Sequence, residues 1–195
     1  MSGVSLWPLA FALLYVLLSA PSAADLIDYR PVSPTKVFEC RVTSVSDSKP
    51  RVKNSLKRTG LPLPRYASLR SSKVNIRVGP GTGYPIKWVY KRRGLPLMIT
   101  AEFDAWRKVC DWHGGVGWVH RSMLSGKRTV ITTASEVILR RKPSLKAPAV
   151  ARTQSGVIAR VISCKGKWCR IQAGGISGWG QRSALWGTLF NEKIN

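Results

Sequence analysis

The chain has 195 residues, 32 of them Lys or Arg and only nine Asp or Glu, for a formal charge of +23. Nine carboxylates and two histidines leave little material for acid–base or metal chemistry, which argues against an enzyme. A charge of this sign favours an anionic partner: an envelope polymer, a lipid headgroup or nucleic acid.

The first 24 residues carry an apolar run from Leu6 to Leu18, followed by small residues. Ser22 and Ala24 sit at the minus-three and minus-one positions of a cleavage point before Asp25, the pattern of a secretory signal peptide. No Lys or Arg precedes the run, so its positive flank is the terminal amine alone. The run is shorter than the roughly 20 residues that span a bilayer. Cleavage leaves 171 residues, the whole +23 and no transmembrane segment. The expected location is outside the cytoplasm, in a periplasm, where nucleic acid is the least accessible partner.

Residues 25–64 carry +4 and are rich in Pro and Ser, which reads as a disordered or extended linker. Val37 to Val45, VFECRVTSV, is the one stretch there that could add an edge strand. Gly60 to Arg65, GLPLPR, reads as a polyproline II spacer.

Strands are expected at YASLR, VNIRV, PIKWVY, LPLMITAEF, WRKVCDW and VGWVH within 65–126. A second set falls at TVITT, EVILR, AVART, VIARVISC, WCRIQA and ISGWG within 127–187. Gly114-Gly115 and Gly174-Gly175 mark hairpins, and RSML and RSAL suit one short helical turn each. The two segments carry +8 and +11, and residues 188–195 form a neutral C-terminal tail. The charge thus coats the folded part of the chain.

The two sets are copies. GWVHRSMLSG at Gly117 matches GWGQRSALWG at Gly178 with an offset of 61. WRKV at Trp106 matches WCRI at Trp168 at 62, and VNIR at Val74 matches VILR at Val137 at 63. A period this long indicates two tandem domains rather than a solenoid. Many short strands in about 60 residues suggest a small β-barrel. So thin a core is expected to lean on its tryptophans.

GPGTG, Gly79 to Gly83, raises the question of a phosphate-binding loop. A dinucleotide loop needs a third glycine where Tyr84 stands, and a helix where Pro85 begins a strand-like run. The stretch therefore reads as an irregular barrel loop, with Arg77 either bonding its carbonyls or facing a ligand.

Asn75, Arg77, Gly79, Pro80, Gly94, Trp106, Val109, Gly117 and Trp118 together resemble the bacterial SH3-like domain family. The second copy diverges: Ile138 replaces the asparagine, Lys142 the glycine after the arginine, and Gly180 the valine after Trp179. The resemblance implies an all-β chain of two tandem small barrels, each with five to seven strands. It also implies a binding or targeting module without catalysis or cofactor.

Aligning Trp168 with Trp106 places Cys164 on Glu102 and Cys169 on Arg107. Both pairs flank a tight hairpin, so an ion pair in the first copy is expected where the second has a Cys164–Cys169 disulfide. Four cysteines allow three connectivities, and the remaining pair is Cys40 with Cys110. A zinc or nucleophile role for Cys110 and His113 lacks convergent partners. Glu102, Asp104 and Asp111, interleaved with Arg107 and Lys108, read as surface pairs.

Candidate ligand residues are Asn75 and Arg77, the aromatics Tyr84, Trp88 and Trp112 beside Lys87, Lys91, Arg92 and Arg93, and the cluster Arg140, Arg141 and Lys142. Each aromatic could equally cover its own barrel, and the repeated Trp106, Trp118, Trp168 and Trp179 suit the core. Two functions fit. One is an envelope module binding peptidoglycan, another anionic polymer or lipid headgroups. The other is a scaffold holding a protein partner.

Overall fold

The computed structural model describes Cys40, residues 59–190 and residues 192–194. The expected signal peptide and all of VFECRVTSV except Cys40 lie outside the described residues. Among the described residues no helix is long and apolar enough to cross a membrane.

Among the described residues fourteen strands form two sheets of seven. The first contains β1 (Arg65–Leu69), β2 (Val74–Arg77), β3 (Ile86–Tyr90), β4 (Pro96–Phe103), β5 (Trp106–Cys110), β6 (Val116–His120) and β7 (Leu124–Ser125). The second contains β8 (Thr129–Thr132), β9 (Glu136–Arg140), β10 (Ala149–Gln154), β11 (Ile158–Lys165), β12 (Trp168–Ala173), β13 (Ile176–Gln181) and β14 (Leu185–Trp186). The strand orders are β3-β2-β6-β5-β4-β1-β7 and β10-β9-β13-β12-β11-β8-β14, the same path walked twice. Short 3-10 turns fall at Arg121–Met123 and Arg182–Ala184. The two-residue strands β7 and β14, too short to carry a sequence period, complete each sheet by pairing with β1 and β8.

Period-two alternation decides which side chains enter each barrel. In β6, Gly117 and Val119 are buried while Val116, Trp118 and His120 are only half-buried. In β9, Val137 and Leu139 point in while Ile138 and Arg140 point out. The cores are accordingly aliphatic: Leu69, Ile76, Leu97, Val109 and Val119 in the first, Val130, Leu139, Val161 and Ile171 in the second. Each such side chain contributes about 1.5–3 kcal/mol when fully buried. The expectation of a tryptophan core is corrected. None of the described tryptophans is fully buried, because Trp106, Trp118, Trp168 and Trp179 occupy the outward parity of their strands.

Glycine matters most where β6 crosses β2. A Cβ on Gly117 would lie 2.3 Å from Ile76 Cγ2, and one on Gly178 would lie 2.8 Å from Leu139 Cβ. Each barrel therefore needs a residue without a side chain at the position before Trp118 or Trp179.

The barrels are joined by a polar and aromatic seam. The Thr129 hydroxyl donates to the Gly94 carbonyl at 2.6 Å and lies 2.6 Å from the Ser68 hydroxyl. Tyr66 meets Trp186 edge-on at 5.0 Å, and Ile131 of β8 is buried within the first core. Burial of Tyr66 pushes its phenol up to about 12, against the pull of Arg128. Arg92 reaches the Gly156 carbonyl at 2.9 Å.

The segments outside the sheets are also tied down. Thr59 caps the Glu102 carboxylate through its N–H at 2.9 Å and its hydroxyl at 2.7 Å. Within GLPLPR the chain bends at Leu63 and Pro64 and enters β1 at Arg65. At the other end the Arg182 guanidinium donates to the Leu189 and Phe190 carbonyls. Glu192 pairs with Arg128, and Ile194 bridges to Cys164 of β11.

Candidate functional site

The hairpin between β4 and β5 shows how the two copies solve one problem differently. Glu102 stands opposite Arg107 in the first barrel and Cys164 opposite Cys169 in the second. Arg107 Nε lies 3.2 Å from Glu102 Oε1, whereas Cys164 and Cys169 are bonded with their Cα atoms 4.0 Å apart. Cys40 is bonded to Cys110, with Cα atoms 5.8 Å apart.

Two of the three acidic residues are not surface pairs, which corrects the sequence expectation for Glu102 and Asp111; Asp104 is exposed. Glu102 and Asp111 are both buried. Burial alone would raise the Glu102 carboxyl. The Thr59 N–H, Arg65 and the Thr59 hydroxyl outweigh it and hold the pKa at about 2. Asp111 accepts from the Tyr90 hydroxyl, from the His113 N–H at 2.9 Å and from the Gly115 N–H at 2.8 Å. Both carboxylates are thus occupied in holding the first barrel together. Cys110 is spent in its disulfide, and among the described residues no three His, Cys, Asp or Glu converge.

Two clefts stand out, and they are the same cleft. The first, of ≈ 340 Å³, is lined by Lys73, Asn75, Arg77, Thr82, Trp106 and His120, with Val74 and Met123. The second, of ≈ 270 Å³, is lined by Glu136, Ile138, Arg140, Leu145, Trp168 and Gln181, with Val137 and Ala184. Each residue of one list matches a residue of the other at an offset of 61 to 63. Each cleft lies where β2 or β9, its following loop and the hairpin strands meet on the outer face. The chemistry has changed between them. Lys73 becomes Glu136, Asn75 becomes Ile138, Thr82 becomes Leu145 and His120 becomes Gln181. The first cleft is polar and cationic with an indole wall; the second is mainly apolar.

One feature is common to both. Arg77 Nη1 donates to the Tyr84 carbonyl at 2.6 Å, and Arg140 Nη1 donates to the Ala147 carbonyl at 2.7 Å. Each arginine anchors the loop after its strand and also lines the cleft. GPGTG folds under the Tyr84 ring, which lies so close to Gly79 that an added Cβ would be 2.4 Å from it. The glycine makes room for an aromatic lid on the loop.

The other candidates fall elsewhere. Trp88 and Trp112 pack against the first core as covers, with Lys87 Nζ 5.1 Å from the Trp88 ring and Trp112 against His113. Tyr84 is 48% exposed on the loop, while Arg141 and Lys142 are exposed beyond β9. Lys73, Thr82, Trp106, His120 and Met123 were missed as cleft residues. Their recurrence at the repeat offsets was the signal that could have found them. Trp106 and His120 are cross-strand partners with rings 5.5 Å apart, edge to face.

The bacterial SH3 domain family matches the chain twice, over residues 70–126 and 133–187. No curated protein matches it. Among solved structures the chain is similar to NlpC1 from Trichomonas vaginalis, at 12% identity and a TM-score of 0.30 over 67% of this chain and 48% of that one. It is similar to NlpC2 from the same organism at 11% and 0.30, over 64% and 48%. An NlpC/P60 family protein from Bacillus cereus gives 13% and 0.29, over 67% and 58%. The chain spans about half the length of these proteins.

Proposed function

Because the chain belongs to the bacterial SH3 domain family, with two copies in tandem, we propose that it is an exported, non-catalytic module of the cell envelope. Its ligand is a carboxylate-bearing envelope polymer, peptidoglycan first. The observation that carries this reading is the first cleft, where Lys73 and Arg77 set positive charge beside the Trp106 indole, on a chain of net charge +23. A guanidinium can hold a carboxylate through two hydrogen bonds, and an ammonium adds charge without fixed geometry. An indole face takes the apolar face of a sugar or side chain.

Sedimentation of the mature chain with purified peptidoglycan sacculi tests this, with anionic phospholipid vesicles as the parallel arm. Co-sedimentation with sacculi is expected, weakening steeply with salt because exposed charges are screened within about 8 Å at physiological ionic strength. Lys73→Glu is expected to reduce it several-fold at an unchanged melting temperature. Retention by vesicles alone would move the ligand to lipid headgroups. Failure in both arms would reject the reading.

The second cleft favours a different partner. Ile138 and the 64%-exposed Leu145 would accept an apolar side chain of a protein, as a scaffold requires. Cross-linking in envelope extract that recovers one stoichiometric partner, lost in Leu145→Asp, would support that function instead.

A further inference from the structure

Beyond the clefts, both barrels carry one outward row that the divergence left intact. In the first, Arg77 of β2 pairs with Trp118 of β6, and Trp118 pairs with Lys108 of β5. In the second, Arg140 of β9 pairs with Trp179 of β13, and Trp179 pairs with Arg170 of β12. Directly opposed residues project from the same face of a sheet. That face is the outer one: Trp118 lies between buried Gly117 and Val119, and Lys108 lies between buried Arg107 and Val109. Each barrel thus presents an indole flanked by a cation on either side. With strands about 4.8 Å apart, the two cations are rooted roughly 10 Å from one another.

We infer that these two rows are paired subsites for a glycan chain whose repeating units carry carboxylate-bearing substituents, each row seating a sugar ring on the indole and substituent carboxylates on the flanking cations. The inference rests on the envelope-binding reading and deepens it.

The rows are arranged as a ligand needs and not as the fold needs. Covering a strand takes the indole alone, and two cations flanking it repel one another. Lys108 and Arg170 are exposed and form no ion pair among the described residues; Arg170 reaches only the Ser177 hydroxyl, at 3.4 Å. The inner cation is held in place beforehand, since Arg77 and Arg140 are tied to their own loops by one nitrogen. A group already ordered loses less freedom when a ligand arrives. The comparison between copies points the same way. Four polar residues of the first cleft were replaced in the second, while the row changed only Lys to Arg. A lipid headgroup needs charge without a ring platform, and a protein partner would not require the same row twice. A polymer whose sugars repeat with carboxylate-bearing substituents does, because the seam at Thr129, Gly94 and Trp186 makes the two barrels one body and the second contact becomes intramolecular.

The test uses the mature chain, purified peptidoglycan sacculi, and the short soluble fragments that enzymatic digestion releases from them. The variants are Lys108→Glu, Arg170→Glu, their combination, and Lys165→Glu with Lys167→Glu as a charge-matched control at an exposed hairpin tip. Each single variant is expected to weaken retention on sacculi about tenfold, and the double by about a hundredfold, as loss of a linked second contact requires. The control should stay within about threefold, the general cost of lost surface charge. On soluble fragments each single variant should halve the stoichiometry and leave the affinity of the remaining site. Equal losses in the double variant and the control would show diffuse charge and overturn the inference while leaving envelope binding intact. So would an Arg170→Glu protein that behaves as wild type. Failure of the wild type to bind sacculi at all would reject both.

Discussion

The two barrels share one path through seven strands each, yet hold their hairpins and line their clefts with different chemistry. At the hairpin, the first spends a buried carboxylate on Thr59, Arg65 and Arg107, which ties the preceding segment to the barrel. The second closes the same cross-strand position with a covalent bond and leaves no charge to satisfy. Duplication preserved the positions where backbone meets backbone, at Gly117 and Gly178, and the loop anchors Arg77 and Arg140. It released the residues that only line the cleft. The fold is thus set by close approach and hydrogen bonding, and the binding surface is free to specialise.

The sharpest way to break this comparison is to remove the carboxylate. Glu102→Ala strands Arg65 and Arg107 in a partly buried position, and loss of one partner from such a cluster costs about 3–5 kcal/mol. Urea unfolding should show a loss of at least about 3 kcal/mol; a variant as stable as wild type would mean that the cluster contributes nothing. Acid reads the same group. Its carboxyl lies at about 2 in the fold against an ordinary 4.5, so its contribution is full above pH 4.5 and is lost as the pH falls toward 2. Hydrogen exchange should therefore show residues 65–126 loosening across that window while residues 127–187, bridged at the equivalent site, hold. Loosening of both copies together would contradict it.

Next in size is the disulfide. Cys164→Ser with Cys169→Ser opens a very short loop, worth about 2 kcal/mol on the chain-entropy model. The loss should appear in the oxidised protein and vanish when both proteins are compared under reductant. Transplanting the solution sharpens the comparison further. Glu102→Cys with Arg107→Cys should form a bridge, read as a mass loss of two hydrogens, because the two positions are cross-strand partners. The variant should still be less stable than wild type, since Thr59 and Arg65 lose their acceptor.

The smallest effect belongs to the cleft. Ile138→Asn with Leu145→Thr restores polar chemistry to the second copy at partly or fully exposed positions. It should change stability by no more than about 0.5 kcal/mol while raising retention on sacculi. A large loss of stability would show that these residues carry the fold after all.

The reversal of Arg140, Arg141 and Lys142, attractive from sequence as a purely electrostatic test, is confounded by the structure. Arg140 anchors its loop at Ala147, so only Arg141 and Lys142 can be reversed without disturbing the barrel.

The repeat, the strands and the hairpin exchange of Glu102–Arg107 for Cys164–Cys169 were legible because each depends on neighbours within a few residues. Strand alternation and a tight turn fix which residues oppose each other across a hairpin before any tertiary contact forms. The burial of Asp111 was not legible, since one of its two carboxylate oxygens accepts from Tyr90 of a different hairpin. Nor was the outward placement of the repeated tryptophans, because hydrophobicity suggested the core and only the parity of β5, β6, β12 and β13 sent them outside. The clefts were hidden for a stronger reason. Asn75 and Arg77 share a cleft with His120 because β6 lies beside β2, a pairing across some forty residues that no local pattern encodes. By itself the sequence determined two copies of an all-β unit, their hairpins and a strongly positive charge. Tertiary structure alone decided which strands became neighbours across the closure of each barrel, and so which side chains share a cleft, because that choice is made by the packing of the whole sheet around its aliphatic core.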